Sequence, residues 1–472
     1  MTRIFGHYVP IEMTVLWLTE LTLCFALGYA TLNTGIAGPN LNAFDVAAVM
    51  AVSAGMTSFA IGLYRAETFL RLRRLMAKTA VAAVLSFPAI WLAGRLVGID
   101  FAVLQGHDAL VPVKILVSWI AIVLTLRLAF SYSLRMNMFT RRIVIVGAGE
   151  GTSRTASAIE RLRNGLFEIT GTLGDLRLDT ADESGPAAAD SSKATDAPKA
   201  ADIMDQLRRR RVWGVVVAGQ DPRASEMTAA LAHVAGGILV WSERDFWENQ
   251  LRRVDIDLLS EQPAPLVGIN TQATIGGRFQ ALVRRVSDVM LSLVLLAFTL
   301  PLMVLTAIVI RLDSPGPVLY RQERAGLHGH PFVLLKFRSM CLDAERSGPT
   351  WAAQRDSRVT RVGAFIRSTR IDELPQLMNV LRGQMSFIGP RPERPHFVEQ
   401  LASVIPAYRQ RAQVKPGLTG WAQVNYPYGA SVEDARMKLS YDLYYVTRRS
   451  LVLDVLILFA TVRVILFREG AR

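Results

Sequence analysis

The feature that most limits what this chain can fold into is the run from Val286 to Leu312, apolar over most of its length and interrupted near its middle by Pro301. It is long enough to cross the hydrocarbon core of a bilayer as a helix. Two features argue against a simple crossing. Arg278, Arg284 and Arg285 precede the run, and Arg311, Arg321 and Arg324 follow it. A true span would export one of these basic clusters against the positive-inside bias. Pro301 also removes a helix hydrogen bond and favours a kink. The expectation is a re-entrant, proline-broken membrane helix that enters and leaves by one face; an ordinary kinked fifth span is the alternative.

Four further apolar segments open the chain, near Ile11–Thr31, Ala43–Leu63, Lys78–Val97 and Leu110–Phe130. Each approaches the roughly 20 residues that a membrane-crossing helix needs. Glu12, Glu20, Lys114 and Arg127 are tolerable there if they face the bundle or reach the interface. The first segment lacks a small-residue cleavage site after it and reads as a retained anchor. Arg65, Arg71, Arg73 and Arg74 follow the second segment, and Arg135, Arg141 and Arg142 follow the fourth. The N-terminus and everything after Phe130 are therefore expected in the cytoplasm. Cys24 and Cys341 are the two cysteines, and their settings imply no disulfide framework.

Residues 139–270 read as a cytoplasmic α/β, Rossmann-like domain. Ile143–Val146 is a short buried-strand pattern, followed by Gly147, Gly149, Gly151 and a helical stretch. Such a turn lets a helix N-terminus meet phosphate. Thr152 stands where the third glycine of the usual pattern belongs, so a βαβ domain without cofactor is the competing reading. Val212–Ala218 and Gly237–Trp241 look like later strands. The stretch 176–201 has the composition of a flexible loop.

The formal net charge is +13, and after residue 270 Lys and Arg outnumber Asp and Glu by 27 to 15. With no nucleic-acid motif beside it, this basic surface points to phosphorylated substrates and anionic lipid. Within it lies STRIDELPQLMNVLRGQMSFIGPRPERP, Ser368 to Pro395. Leu374, Leu377, Met378 and Leu381 recur at helical spacing, and Pro375 suits a first helical turn. Asp372 and Glu373 are thus expected near a helix N-terminus, where the dipole favours negative charge. Adjacent helical carboxylates cannot face one atom alike, which suits divided labour: one attacks and one holds a metal such as Mg²⁺. Arg367 and Arg370 lie upstream, and Arg391 and Arg394 lie in the proline-rich turn; arginine forks match phosphate oxygens. A solvated helix cap with surface salt bridges is the bland reading of the pair alone.

From about Arg285 to Phe467 the chain resembles the bacterial sugar transferases, the polyprenyl-phosphate hexose-1-phosphate transferases. The runs that carry this are SPGPVLYRQERAG, KFRSM, DSRVTRVGAFIRSTRIDELPQLMNVLRGQMSFIGPRPE and KPGLTGWAQVNYPYGAS. The four N-terminal helices and the βαβ domain look like the long-form members, and YPYGASVEDARMKLSYDLYY looks like a branch tied to exopolysaccharide production. The resemblance implies a membrane α-helical bundle (1–138), a Rossmann-like domain (139–270) and a mainly α, monotopic catalytic domain (271–472). It implies Asp372 as the nucleophile towards the β-phosphate of a UDP-sugar, such as UDP-glucose or UDP-galactose, with UMP expelled and undecaprenyl phosphate as acceptor. Glu373 is then the Mg²⁺ ligand, and Arg367 and Arg391 contact phosphates. Lys336, Arg338, Asp343 and Asp356 are softer matches that could bind nucleotide or support the site. Gly417, Thr419, Gly420, Trp421 and Asn425 could shape a pocket. Where the family's helix break often reads Ser-Pro, here Leu300 precedes Pro301. Leu451–Phe467 fits an amphipathic helix lying on the membrane. The implied location is a bacterial inner membrane. A second copy of the chain and polysaccharide-assembly proteins are left open as partners. The rival reading is a membrane-anchored nucleotide-sensing or assembly protein acting through the βαβ domain.

Overall fold

The structure is a computed structural model of the chain. It describes residues 2–4, 7–9, 11–33, 42–99, 111–147, 150–161, 167–173, 207–219, 228–229, 231–233, 237–261, 275–341, 358–427, 429 and 431–467. The expected flexible loop at 176–201, together with Gly149, Asp343 and Asp356, lies outside the described residues. The chain divides into two compact units, Met1–Leu251 and Arg252–Arg472.

The first unit opens with a short antiparallel hairpin, β1 (Thr2–Ile4) and β2 (His7–Val9). Four helices follow: α1 (Ile11–Asn33), α2 (Ala43–Ala60), α3 (Leu72–Val97) and α4 (Val111–Arg135). All are long and apolar enough to cross a membrane. They match the expected segments, except that α3 starts at Leu72 rather than Lys78. Of the charges expected to face the bundle, Glu20 and Arg127 do so. Arg127 of α4 donates to both carboxylate oxygens of Glu20 on α1 at 2.9 and 2.8 Å. It also donates to Ser58 on α2 at 3.1 Å and Thr79 on α3 at 3.0 Å. Every helix thus contributes to one buried network, and such polar contacts specify how apolar helices pair.

The same unit carries a parallel sheet of β3 (Arg141–Val146), β4 (Phe167–Leu173), β5 (Gly214–Val217) and β6 (Leu239–Ser242), ordered β4-β3-β5-β6, with α5 (Glu150–Arg161) between β3 and β4 in the chain. Val144, Val146, Val215 and Val217 pack on one face, and Ile143, Ile145 and Val216 pack with Trp241, Phe246 and Trp247 on the other. Coverage of both faces explains why β3 and β5 read as unbroken apolar runs. Arg141, at the start of β3, pairs with Glu12 of α1 at 2.5 Å and lies over the Trp213 ring at 4.6 Å.

The second unit begins earlier than the expected boundary at 270. Val254, Ile256 and Leu259, the latter two on the short α6 (Ile256–Glu261), belong to its core with Leu377, Val380, Trp421, Leu443 and Tyr444. The backbone of Val254 exchanges bonds with Ser440, and Trp421 Nε1 donates to Arg252 O at 2.9 Å. This segment therefore belongs to the packing of the C-terminal unit, not to the α/β sheet.

The long apolar run forms α7 (Ile275–Asp313), a helical element of 39 residues that includes Pro301. The proline does not end the helix. Both ends of α7 pack on one region of the unit. Arg285 donates to Val380 O and Leu381 O at 2.7 and 2.8 Å, while Ile310 is buried with Phe337 and Ile366 beside Ile371. Around α7 lie the antiparallel hairpin β7 (Leu319–Ala325) and β8 (Pro331–Phe337), α8 (Arg361–Ser368), α9 (Gln376–Leu381), and the parallel pair β9 (Ser386–Ile388) and β10 (Gly417–Thr419). α10 (Pro395–Val404), α11 (Trp421–Asn425), α12 (Val432–Arg448) and α13 (Leu451–Phe467) complete the unit.

Candidate active site

Asp372 and Glu373 do not open a long helix. They occupy a single 3₁₀ turn, Ile371–Glu373, entered through Arg370 at φ 58°. Pro375 and the six-residue α9 follow. The helix-dipole support expected for the pair is therefore not available. The 3₁₀ turn still separates neighbouring side chains by about 120°, so the two carboxylates meet different surroundings.

Three local devices fix that turn. Thr360 caps α8, its hydroxyl accepting from Gly363 N at 2.9 Å. Gly363 is needed because a Cβ there falls 2.0 Å from Ser339 O. The fully buried Asn379 of α9 accepts from Leu335 N at 3.1 Å and donates to Val333 O at 2.7 Å. It thereby locks α9 to β8, and Lys336, next along β8, is delivered to the dyad.

Glu373 is gripped by cations. Lys336 Nζ lies 3.1 Å and an Arg391 guanidinium nitrogen 2.9 Å from the same carboxylate oxygen, with Arg370 3.6 Å from the other. Burial pushes its pKa up, but Lys336, Arg391 and Arg370 prevail and hold it well below the usual carboxylate range. Asp372 is the opposite case. Its side chain is buried and carries no hydrogen bond or ion pair among the described residues. Burial and the neighbouring Glu373 charge push its pKa up to about 6, against the pull of Lys336, Arg391 and Arg367. Glu373 has one oxygen held by two cations, and Asp372 has its lone pairs free. Burial, only partly offset by Glu373, lowers the Lys336 pKa.

Arg391 is placed by its main chain. Gly389 and Gly417 approach so closely that a Cβ on Gly417 falls 2.1 Å from Gly389 N, and Gly417 N donates to Pro390 O at 2.9 Å. Arg324 donates to Pro392 O at 3.0 Å. Arg411 donates to Arg391 O at 3.0 Å and to the buried Asp442 at 2.7 Å. Neither Arg324 nor the Arg411–Asp442 pair was anticipated as part of the site. No local motif marks a pair separated by thirty-one positions.

Of the anticipated residues, Asp372, Glu373, Lys336 and Arg391 come together, with Arg367 in electrostatic reach of Asp372. Arg338 does not join them. It is buried, and its guanidinium donates to Pro315 O and to Ser314 O and Oγ at 3.0, 2.7 and 2.9 Å, closing the turn after α7. Trp421 is a buried core residue, its ring tilted against that of Tyr444 at 6.1 Å. Asn425 Nδ2 donates to Trp421 O within α11, and Thr419 pairs with Thr461 at 2.6 Å.

No group of three or more His, Cys, Asp or Glu side chains placed to hold a metal ion occurs among the described residues. Asp372 and Glu373 supply hard oxygen donors, the kind Mg²⁺ takes one or two of alongside phosphate oxygens and water. Surrounded by Lys336, Arg367, Arg370 and Arg391, this donor set suits Mg²⁺ only in company with a diphosphate. The site as a whole is built for an anion.

In the α/β part, the glycine-rich turn meets a carboxylate of the chain itself. Glu243, fully buried, accepts from Thr155 Oγ1 at 2.8 Å and from Gly219 N at 3.2 Å. A Cβ on Gly151 falls 2.9 Å from its Oε2.

Residues 279–468 match the model of the bacterial sugar transferase family. The chain is 44% identical over 243 residues to a UDP-N-acetylgalactosamine-undecaprenyl-phosphate N-acetylgalactosaminephosphotransferase of Aeromonas hydrophila, covering 52% of this chain and 55% of the relative. It thus spans about half of that protein's length. It is 46% identical over 192 residues to a UDP-glucose:undecaprenyl-phosphate glucose-1-phosphate transferase of Caulobacter vibrioides, covering 40% of this chain and 71% of the relative. An exopolysaccharide production protein of Rhizobium leguminosarum bv. phaseoli is 41% identical over 188 residues, 38% of this chain and 92% of the relative. The matched region contains the whole arrangement of Asp372, Glu373, Lys336 and Arg391, and the chain belongs to the bacterial sugar transferase family.

Proposed function

We propose that the protein moves hexose-1-phosphate from a UDP-sugar to undecaprenyl phosphate, releasing UMP, as the initiating step of exopolysaccharide synthesis. The observation that carries this reading is the asymmetry of the dyad: Glu373 held by Lys336 and Arg391, Asp372 buried with its lone pairs free. A carboxylate oxygen of Asp372 attacks the β-phosphorus. The bond from that phosphorus to the bridging oxygen breaks, and UMP leaves with the electron pair. The acyl phosphate on Asp372 retains the energy of the broken anhydride, which divides one exchange into two easier ones. A phosphate oxygen of the acceptor then attacks the same phosphorus, and the bond to Asp372 breaks to restore the carboxylate. The acceptor phosphate is ionised near neutral pH, so a strong general base is unnecessary.

Lys336, Arg367, Arg370 and Arg391 meet the phosphates, and Arg411 keeps the Arg391 main chain in place. Charge-assisted bonds from a partly buried cation set favour the charge that develops on the transferring group. Glu373 would hold Mg²⁺ in company with the substrate, and the ion would neutralise the diphosphate.

The reading includes a re-entrant α7. A straight helix separates Arg285 from Ile310 by about 37 Å. Their partners Val380 and Ile371 are nine positions apart in compact, mostly helical chain, on the order of 15 Å. A bend near Pro301, returning α7 to the cytoplasmic face of an inner membrane, accommodates both contacts. The four-strand α/β part is kept as Rossmann-like. Its service as a nucleotide sensor is the weaker reading, since Glu243 lies beside the turn a phosphate would need.

The test is UMP release from a panel of UDP-sugars, including UDP-glucose, UDP-galactose and UDP-N-acetylgalactosamine, with undecaprenyl phosphate and Mg²⁺. UMP is the expected product and UDP would mean that sugar alone moves. Asp372→Asn abolishes UMP release; full activity in that variant overturns the nucleophile.

A further inference from the structure

A second cationic site lies at the opposite end of α9 from the dyad, where α7 leaves the polar part of the unit. Lys415 Nζ and the Arg285 guanidinium both lie over Gly383, 3.6 and 3.7 Å from where its Cβ would be. Arg285 is bonded only to carbonyls, those of Val380 and Leu381, and Asp288 is the one carboxylate in its electrostatic reach among the described residues. Lys415 has no hydrogen bond or ion pair among the described residues. Arg449 lies over the Tyr445 ring at 6.0 Å, and its Nε is buried without a hydrogen-bond partner. Tyr445 in turn reaches Ile388 O at 3.4 Å, at the end of the strand whose first residue, Ser386, donates its N–H to Pro416 O beside Lys415. Burial and the Arg285 and Arg449 charges lower the Lys415 pKa, with Asp288 acting the other way.

The carboxylates nearby are already engaged. Asp288 accepts from Ser386 Oγ and Phe387 N at 3.0 and 2.9 Å. Asp454 is held by Arg284 at 2.6 Å and by Tyr445 at 2.8 Å. Arg284, Arg285, Lys415 and Arg449 thus face two carboxylates, and positive charge is left over in a half-buried setting, which an anion would relieve. Apolar surface adjoins the site on both sides. Val286 and Met290 on α7 are exposed directly after Arg285, and Val455 on α13 is exposed shortly after Arg449. Positive charge between two exposed apolar helix faces matches a molecule with a phosphate head and hydrocarbon tails.

We propose that Lys415, Arg285 and Arg449 bind the phosphate of an anionic bilayer phospholipid at the foot of α7. The site is separate from the dyad, and its occupancy is read without any transfer reaction. Full-length protein in a neutral detergent is titrated with dioctanoyl phosphatidylglycerol while the thermal midpoint is followed. Dioctanoyl phosphatidylcholine and inorganic phosphate are run in parallel. Phosphatidylglycerol is expected to raise the midpoint saturably, and the other two are not. Lys415→Gln is expected to weaken half-saturation about tenfold, the loss of roughly one charge-assisted contact. Lys415→Arg keeps the response, and so does Arg409→Gln at the exposed Arg409–Glu399 pair. If Lys415→Gln is itself less stable without lipid, Arg449→Gln reads the same contact. An equal shift with phosphatidylcholine, or an unchanged titration in both glutamine variants, overturns the proposal. Inorganic phosphate acting alone as well as the lipid, or undecaprenyl phosphate displacing it at equal concentration, removes the phospholipid as occupant.

Discussion

Asp372 and Glu373 share one turn but not one electrostatic setting, and pH separates them. With its pKa raised to about 6 from 3.8, Asp372 favours the proton more in the folded than in the unfolded chain. The stability this contributes is full below pH 4 and is lost as pH rises through 6. Asp372→Asn is therefore expected to raise the thermal midpoint by a few degrees at pH 7.5, with the gain vanishing near pH 4. UMP release by the unsubstituted protein should fall as pH drops through about 6, because only the ionised carboxylate attacks. Circular-dichroism melts and initial rates across pH 4.5–8.5 check both, and an Asp372→Asn midpoint that tracks the parent at every pH contradicts the assignment. That Asp372, Glu373 and Arg391 come together was legible in sequence, because opposite charges on a short turn and a proline-fixed turn can pair. Arg338 misled, since a buried guanidinium serves carbonyls as readily as phosphates. Arg411 and Asp442 were invisible, because nothing in sequence brings together residues from a 3₁₀ segment and a later helix.

At the level of elements, the long helices were the most legible part, being decided by length and apolarity alone. The short pieces around the dyad were not. Their form is dictated by Asn379 reaching β8 and by backbone approaches at Gly363, Gly389 and Gly417, none of which leaves a periodic trace. Pro301 was legible as a disturbance, yet the helix continues through it, since a proline removes one backbone bond and the remaining turns persist. Whether α7 turns back is open to direct measurement. Gly276→Cys and Asp313→Cys place thiols at its two exposed ends, in a background with Cys24 and Cys341 replaced by serine. Both are expected to react with an impermeant maleimide in inverted vesicles and neither in intact cells. Labelling of one thiol from each side means that α7 crosses. The C-terminal helix α13 inverts the usual surface pattern. Asp454 and Arg463 point inward, Arg463 donating to Val424 O at 3.1 Å, while Val455, Val462, Ile465 and Leu466 are exposed.

For the whole molecule, the division between Leu251 and Arg252 sets where the chain can be cut. A chain starting at Arg252 keeps Val254, Ile256 and Leu259 in the core and the bonds to Trp421 and Ser440. One starting at 271 loses three buried apolar side chains, each costing about 2–5 kcal/mol when removed from a packed core. The longer fragment is expected to retain UMP release and the shorter one to aggregate or lose it, as judged by size-exclusion profile and activity in the same detergent. The expected boundary at 270 missed Val254, Ile256 and Leu259, because three apolar residues before it carry no local sign of packing with the C-terminal core. The exposed apolar faces of α7 and α13 bear on the longer fragment as well. Freed of all four N-terminal spans, it should still sediment with membranes after a high-salt or carbonate wash and come off only with detergent, because what holds it there is grease on its own outer surface and not the anchor that was cut away.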